Sequence, residues 1–429
     1  MDKIIIIFED DRNINFHPLT HIRPVYFLRC GIRTLLEKII DFFPSYRPHL
    51  FCRPELEKLI AEQTDYPINR IMAAGSTEVL FINGRLRISS DFAQALENTG
   101  KNAILTSQGA MAAIKLTDGL KVDEIADLNS GDMPEFINKI RKRSESLELE
   151  LPFFEYPWDL VGAIDTEIED DFGFFNKQIS GRIAEINKHL SERSQKEYLP
   201  GVHFINPEKI YFPEDATILP GVILDASGGP IFIGSGVRIE PHTYLIGPAY
   251  IGKDSMLVGG KISGSSIGPM CRVGGEVEET IIQGYTNKYH AGFLGHAYVG
   301  EWVNLGAMTT NSDLKNNYST VKVSVNGNDI DTENLKVGSF IGDFTKTAIG
   351  TLLNTGINIG ICCNIIPGGL AADKEIPNFC WYSSRHKLDY NINKATETIR
   401  RTMARRGKEL TPALEDRLRS LSREKSDKK

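Results

Sequence analysis

The chain has 429 residues, of which 41% are hydrophobic and 24% charged, and a formal net charge of −7. That length exceeds what one compact core usually holds, so at least two domains are expected. The acidic balance excludes a general nucleic-acid binder, because affinity for a phosphate backbone needs concentrated positive charge.

Six cysteines, Cys30, Cys52, Cys271, Cys362, Cys363 and Cys380, contain no CxxC pair and form no ligand-like cluster with histidine. Buried thiols in a reducing cytoplasm are therefore expected. The opening IIIIF is too short for a signal or membrane segment and runs straight into EDD, so neither secretion nor a membrane partner is expected. Within residues 1–175, KIIIIF, PHLFC, EVLFING and NAILTS read as strands and GIRTLLEKIIDFF as a helix. The alternation predicts an α/β, Rossmann-like domain with a mainly parallel sheet. Ligands of such domains bind at the carboxyl ends of the strands, here the loop after Phe8.

Residues 176–198 carry Ile183, Ile186 and Leu190 on one helical face and predict a linker helix. Over 199–376 an apolar residue recurs every sixth position. Ile233, Ile239, Leu245, Ile251 and Leu257 keep step, as do Phe293, Val299 and Leu305, and then Ile341, Thr347, Leu353, Ile359 and Ile365. With Gly and Pro punctuating the turns, that period predicts a hexapeptide parallel β-helix. The phase slips after Leu257 and after Leu305, predicting loops that leave the coil, one of them a hairpin around Asn326-Gly327 in VKVSVNGNDIDTEN. Residues 377–429 predict a basic helical tail, solvated unless Arg400, Arg401, Arg405 and Arg406 meet an anionic ligand or a neighbouring subunit.

His290 sits in the first excursion, immediately before the coil resumes at Phe293. A histidine's ordinary pKa of about 6.5 leaves a neutral fraction able to take a proton from an attacking amine or hydroxyl. Taken alone, His290 is a surface loop residue. The stretch YHAGFLGHAYVGEWVNLGAMTTNSDLKNNY, residues 289–318, resembles the acyltransferase half of the bifunctional enzymes that make UDP-N-acetylglucosamine. The resemblance implies a left-handed parallel β-helix that trimerises, with His290 as general base. It further implies substrate-binding roles for Asn304 and Asn311, with Phe293 in place of a family tyrosine. Lys288 and Arg272 are the nearest candidates for the lysine that holds the substrate phosphate. His296 faces a turn and reads as structural.

The opening IIIIFEDDRNINFHPLTHIRPVYFLRCGIRTLLEKI is similar to the N-terminus of sugar nucleotidyltransferases, in a divergent branch fused to β-helix acyltransferases. Pro18, Leu19, Thr20 and Pro24 fit its layout; EDDRNIN replaces the glycine-rich phosphate loop, and Val25 stands where a catalytic lysine follows the proline. The resemblance implies that Arg12 and Arg23 supply positive charge to the phosphates, with Pro18 and Thr20 beside them. Asp10 or Asp11 would hold Mg²⁺, and Asn83 takes the place of a metal-binding Asp.

Together these readings predict a cytoplasmic homotrimer acting on sugar phosphates. It would carry out acetyl transfer from acetyl-CoA to glucosamine-1-phosphate and uridylyl transfer from UTP to N-acetylglucosamine-1-phosphate. Two alternatives stay open. One is nucleotidyl transfer to another sugar-1-phosphate with the β-helix as scaffold; the other is a non-catalytic trimer that binds nucleotide sugar.

Overall fold

The computed structural model describes residues 3–71, 78–191, 199–383 and 386–427. Ile4 to Ile7 open it within the strand Lys3–Phe8, and all four are fully buried. Ile5 and Ile7 join the larger core while Ile4 and Ile6 enter a smaller one across the sheet, as strand alternation requires when both faces are covered. The six-stranded sheet runs Arg47–Phe51, Lys3–Phe8, Glu78–Asn83, Ala110–Leu116, Asn102–Ser107, Glu145–Glu148. Its first three strands are parallel, as are Asn102–Ser107 and Glu145–Glu148, while Ala110–Leu116 is antiparallel to both neighbours. Five of the six strands thus run the same way, and the sheet is mainly parallel as expected, with one reversed strand. AMAAIKL is alanine-rich and gives a weak strand signal. Gln108 and Gly109, both at positive φ, fold it back on Asn102–Ser107 as a tight hairpin.

The helix expected in GIRTLLEKIIDFF is Leu35–Phe42, opened by a capping box between Thr34 and Glu37. The helix read from residue 176 belongs to a longer one, Ile164–Ser191, and residues 192–198 lie outside the described residues. Asp171 on this helix is fully buried; it accepts from the N–H groups of Ile32 and Arg33 and pairs with Arg33 and Lys38. The turn before Leu35–Phe42 is thereby tied to the long helix.

From His203 onward, short parallel strands stack into a parallel β-solenoid whose longest ladder runs nine strands from Ile210–Tyr211 to Glu375–Ile376. Ile233, Ile239, Leu245, Ile251 and Leu257 are fully buried, as the six-residue period requires. Around residue 293 the phase differs: Leu294 points inward and Phe293 outward. The slip after Leu257 has a different origin from the one expected. Arg238 pairs with Met256, 18 residues on, but Met256 with Arg272, 16 on, and Arg272 with Asn287, 15 on. These coils are shortened and no loop leaves them, so His290 lies within the coil and not in an excursion. The second slip is an insertion. Asn304 bridges to Lys346, 42 residues on, and the intervening chain holds the hairpin Lys322–Val325 and Asn328–Asp331 with Asn326 and Gly327 at positive φ.

The C-terminal helices Ile392–Ala404 and Pro412–Asp427 are not a solvated tail. Ile399, Met403, Leu418 and Leu421 are buried in the core that also holds Leu28 and Trp158 of the first domain and Tyr298 and Phe344 of the solenoid. Among the cysteines, all six are free thiols and five are buried. No helix among the described residues is long and apolar enough to cross a membrane.

Gly31 closes the turn against the long helix at φ +85, and a Cβ there would lie 2.7 Å from the carbonyl oxygen of Glu167. Gly31→Ala is expected to cost about 2 kcal/mol or more of stability, read as a lower midpoint in denaturant titration. An unchanged midpoint would show that this turn does not bear on the helix.

Candidate active site

His290 occupies the corner between the strands Asn287–Lys288 and Phe293–Gly295. Its side chain is exposed, with the ring edge-on to Tyr289 at 5.1 Å between centroids. The corner is held from inside. Lys288, 2% exposed, donates to the carbonyl oxygens of Gly274 (2.8 Å), His290 (2.7 Å) and Gly292 (2.7 Å). Three acceptors use all three ammonium protons, and burial depresses the lysine pKa to about 8. Lys288 is thus a positioning residue under His290 and offers no contact to a phosphate.

The other predicted residues divide in two. Asn311 is buried and bonds both ways to the backbone of Gly295, Nδ2 to its oxygen and Oδ1 to its N–H, each at 2.8 Å. It closes the coil and does not face a ligand. Asn304 is exposed, one coil beyond Asn287, and its Oδ1 accepts from Asn287 Nδ2 at 3.4 Å. Phe293 is half-buried, its ring lying over Gly295, where a Cβ would come within 2.3 Å of it. Arg272, one coil earlier, donates to the carbonyl oxygens of Asp254 and Cys271. Beyond His290 the same corner carries exposed apolar groups. Met308 N–H donates to Ala291 and Gly350 N–H to Ala307, which stacks Tyr289, Met308 and Ile349, all exposed, with Leu352 and Leu370 exposed side by side in the next ladder.

Close by is a cluster the sequence did not reveal. His296 is buried, with Nδ1 at 2.8 Å from Asp313 and Nε2 at 3.0 Å from Glu279. Burial opposes its charge, but the two carboxylates prevail and raise its pKa to about 9. Glu278, Glu279 and His296 lie close enough to share an ion, yet both ring nitrogens are taken by carboxylates and Glu278 pairs with Lys336. The cluster is a structural ion-pair network. Because the folded pKa exceeds the ordinary 6.5, the stability it supplies is complete below pH 6.5 and is lost as pH rises through 9. The wild type is expected to lose on the order of 2 kcal/mol over that window, and His296→Gln to flatten the profile. An identical slope in the variant would refute the assignment.

At the loop after Phe8 most of the residues expected to face a phosphate or a metal are engaged within the protein. Asp10 accepts from Arg85 at 2.9 and 2.8 Å and from Asn83 Nδ2 at 2.8 Å. Burial opposes its charge, but Arg85 prevails and holds its pKa below the usual range. Asn83 and Arg85 are fully buried, and the Asn83 oxygen accepts from the Arg85 N–H. A Mg²⁺ at Asp10 and Asn83 would have to displace a buried guanidinium, so these residues do not fit a metal site; Asp11 is exposed. Arg12 pairs with Glu155, which also meets Arg85. Thr20 is fully buried and donates to Asn13. Pro18 borders a cleft of about 820 Å³ shared with the hairpin and the last helix.

Arg23 keeps one bond to this loop, donating to the carbonyl oxygen of Leu19 at 3.0 Å, but its charge is directed at the second domain. It grips Asp343 of the solenoid through two bonds of 3.0 and 2.7 Å and reaches Glu301 at 3.0 Å. Asn326 Nδ2 donates to Ile14 and Asn358 Nδ2 to His17, so the loop clasps one domain to the other. Arg85 was visible in FINGRL and Asp343 in the repeat; nothing local in either stretch marked its partner. Arg23→Gln would leave the fully buried Asp343 carboxylate unpaired, at an expected cost of about 3 kcal/mol. Asp343→Asn in the same chain should restore part of it in denaturant titrations. Unchanged stability in Arg23→Gln would return Arg23 to the phosphate role.

Residues 5–180 match the family described as sugar nucleotidyl transferase. The chain is also similar to a bifunctional sugar-1-phosphate nucleotidylyltransferase/acetyltransferase of Sulfurisphaera tokodaii, 32% identical over 33% of this chain and 36% of that protein. It is 24% identical to the bifunctional protein GlmU of Synechococcus elongatus over 56% of this chain and 54% of that protein. The chain thus spans about half, or less, of the length of these curated relatives. Among solved structures, mannose-1-phosphate geranyltransferase of Thermus thermophilus aligns over 62% of this chain and 91% of that chain at 10% identity, with a TM-score of 0.25.

Proposed function

We propose that the solenoid of this chain, a distant relative of the bifunctional nucleotidylyltransferase/acetyltransferases, transfers an acetyl group from acetyl-CoA to the amine of glucosamine-1-phosphate. The observation that carries the proposal is His290 itself: an exposed imidazole on a coil corner that Lys288 holds through three backbone carbonyls. As the amine attacks the thioester carbonyl, neutral His290 takes its proton. Backbone N–H groups meet the oxyanion, and collapse of the tetrahedral intermediate breaks the C–S bond and releases the CoA thiolate, which is then protonated. No covalent enzyme intermediate is required. Burial pushes the Cys271 and Cys363 thiols up to about 12, which removes them as nucleophiles.

For the first domain we propose uridylyl transfer from UTP to N-acetylglucosamine-1-phosphate, a reading supported by the family match and the relatives' names. One observation favours a second reading, binding without turnover: Asp10, Arg12, Arg23 and Asn83 are each paired inside the protein. The exposed Tyr289, Met308, Ile349, Leu352 and Leu370 support a homotrimer in which neighbouring solenoids cover this apolar flank beside His290.

The test is thiol release from acetyl-CoA with glucosamine-1-phosphate. His290→Ala of equal oligomer content should lose about 10²–10⁴-fold in rate. A variant as fast as wild type would remove the general-base role, and no release from the wild type would remove acetyl transfer to this acceptor.

A further inference from the structure

The helix Ile392–Ala404 buries Ala395, Ile399 and Met403 in the core, and its end lies over the ladder of Asn287, Asn304 and Lys346. Between helix and ladder is a groove of about 320 Å³ lined by Asn287, Asn304, Lys346, Arg401, Arg405 and Arg406. Arg401 is balanced by Glu397. The remaining lining cations are not: no ion pair among the described residues involves Lys346, Arg405 or Arg406, nor Arg272 outside the lining. Arg406 donates to Asn287 Oδ1 at 2.9 Å. After burial itself, the charges of Arg272 and Arg405 hold its pKa down, with no carboxylate among the causes. Lys346, half-buried, donates to the carbonyl oxygen of Phe344 at 3.0 Å.

A helix C-terminus favours a cation in its last turn. That accounts for Arg405 or Arg406 alone. It does not account for Lys346, which a coil of the solenoid brings into the groove, or for Arg272 of another coil, which lies outside the lining but whose charge acts on Arg406. Like charges brought together in a partly desolvated groove repel one another, and an anion relieves that cost. Guanidinium groups pair with phosphate oxygens through paired bonds, and Asn287 and Asn304 add neutral donors beside them. The size of the groove suits one small group rather than a polymer, and the net charge of −7 leaves this a local patch.

We propose that the groove between the helix Ile392–Ala404 and the solenoid binds the phosphate group of a small ligand, through Arg405, Arg406 and Lys346 with Asn287 and Asn304 beside them. The phosphate comes either from the nucleotide end of an acyl-CoA or from a sugar phosphate. The proposal is independent of the role of His290.

Calorimetric titration of the full chain at low ionic strength, with CoA, glucosamine-1-phosphate and pyrophosphate as probes, tests it. At least one probe should bind the wild type. Arg405→Gln/Arg406→Gln should weaken that binding by about tenfold or more, and Lys346→Gln should act in the same direction. Arg400→Gln, whose partner is Glu415 on the last helix, should leave binding unchanged. Weakening confined to CoA identifies the acyl donor as the source; weakening of glucosamine-1-phosphate identifies the sugar. His290→Ala should still bind, so failure of the acetyl-transfer reading stays distinguishable. Three results would overturn the proposal: no probe binding the wild type, equal affinity in the double variant, or loss of binding that sedimentation traces to a changed subunit number.

Discussion

Stacking of parallel coils is the constraint on which the second domain depends. Each coil takes backbone hydrogen bonds from the one before and gives them to the one after, about 4.8 Å away. A side chain on a corner therefore has its surroundings set by residues about one coil distant in sequence. His290 illustrates this: the oxygen of Gly274 below it, the lysine that holds its own carbonyl, and Ala291 bonded to Met308 above are all contributed by the stack. The shortened coils, with partners 16 and 15 residues apart where 18 is the fuller spacing, pass beneath this corner without leaving the prism.

The first domain shows the same residues put to a different use from the one their order suggests. Loops after the first strand of such a sheet face ligands because strand ends leave backbone groups open. Here the loop carries Arg23 into a buried bidentate pair with Asp343, while Asp10 and Arg12 are absorbed by Arg85 and Glu155. A buried pair of this kind is costly to break and contributes less to stability than to fixing one arrangement of its partners. The two domains consequently share a core with the C-terminal helices, and the loop is part of their junction.

Electrostatics separates the two flanks of the solenoid near His290. On one, His296 is enclosed by carboxylates and every cation of that network has an acidic partner. On the other, Lys346, Arg405 and Arg406 meet without an acid among the described ion pairs. Cations paired with carboxylates read as structure; unpaired cations in a groove read as a place for a ligand.

The order of the domains, the solenoid and its hairpin were legible in the sequence because each rests on short-range pattern: a six-residue period in Ile233 to Leu257, an alternating run around Asn326-Gly327, and four consecutive isoleucines in the first strand. The motif around His290 marked it as a candidate, and the structure sets it exposed on a coil corner. The coil lengths between Leu257 and Phe293 were not, because a missing residue and an outgoing loop shift the phase alike. Nor were the fates of Arg23, Lys288 and Asn311, for which residue type alone allows either a ligand or an internal partner. Asp343 lies 320 residues from Arg23, and only the docking of the two domains brings their charges together. What local periodicity encodes, the sequence by itself determined; which charges are spent on each other and which remain for a ligand was decided by tertiary packing, since Coulomb and hydrogen-bond partners are chosen by distance in space.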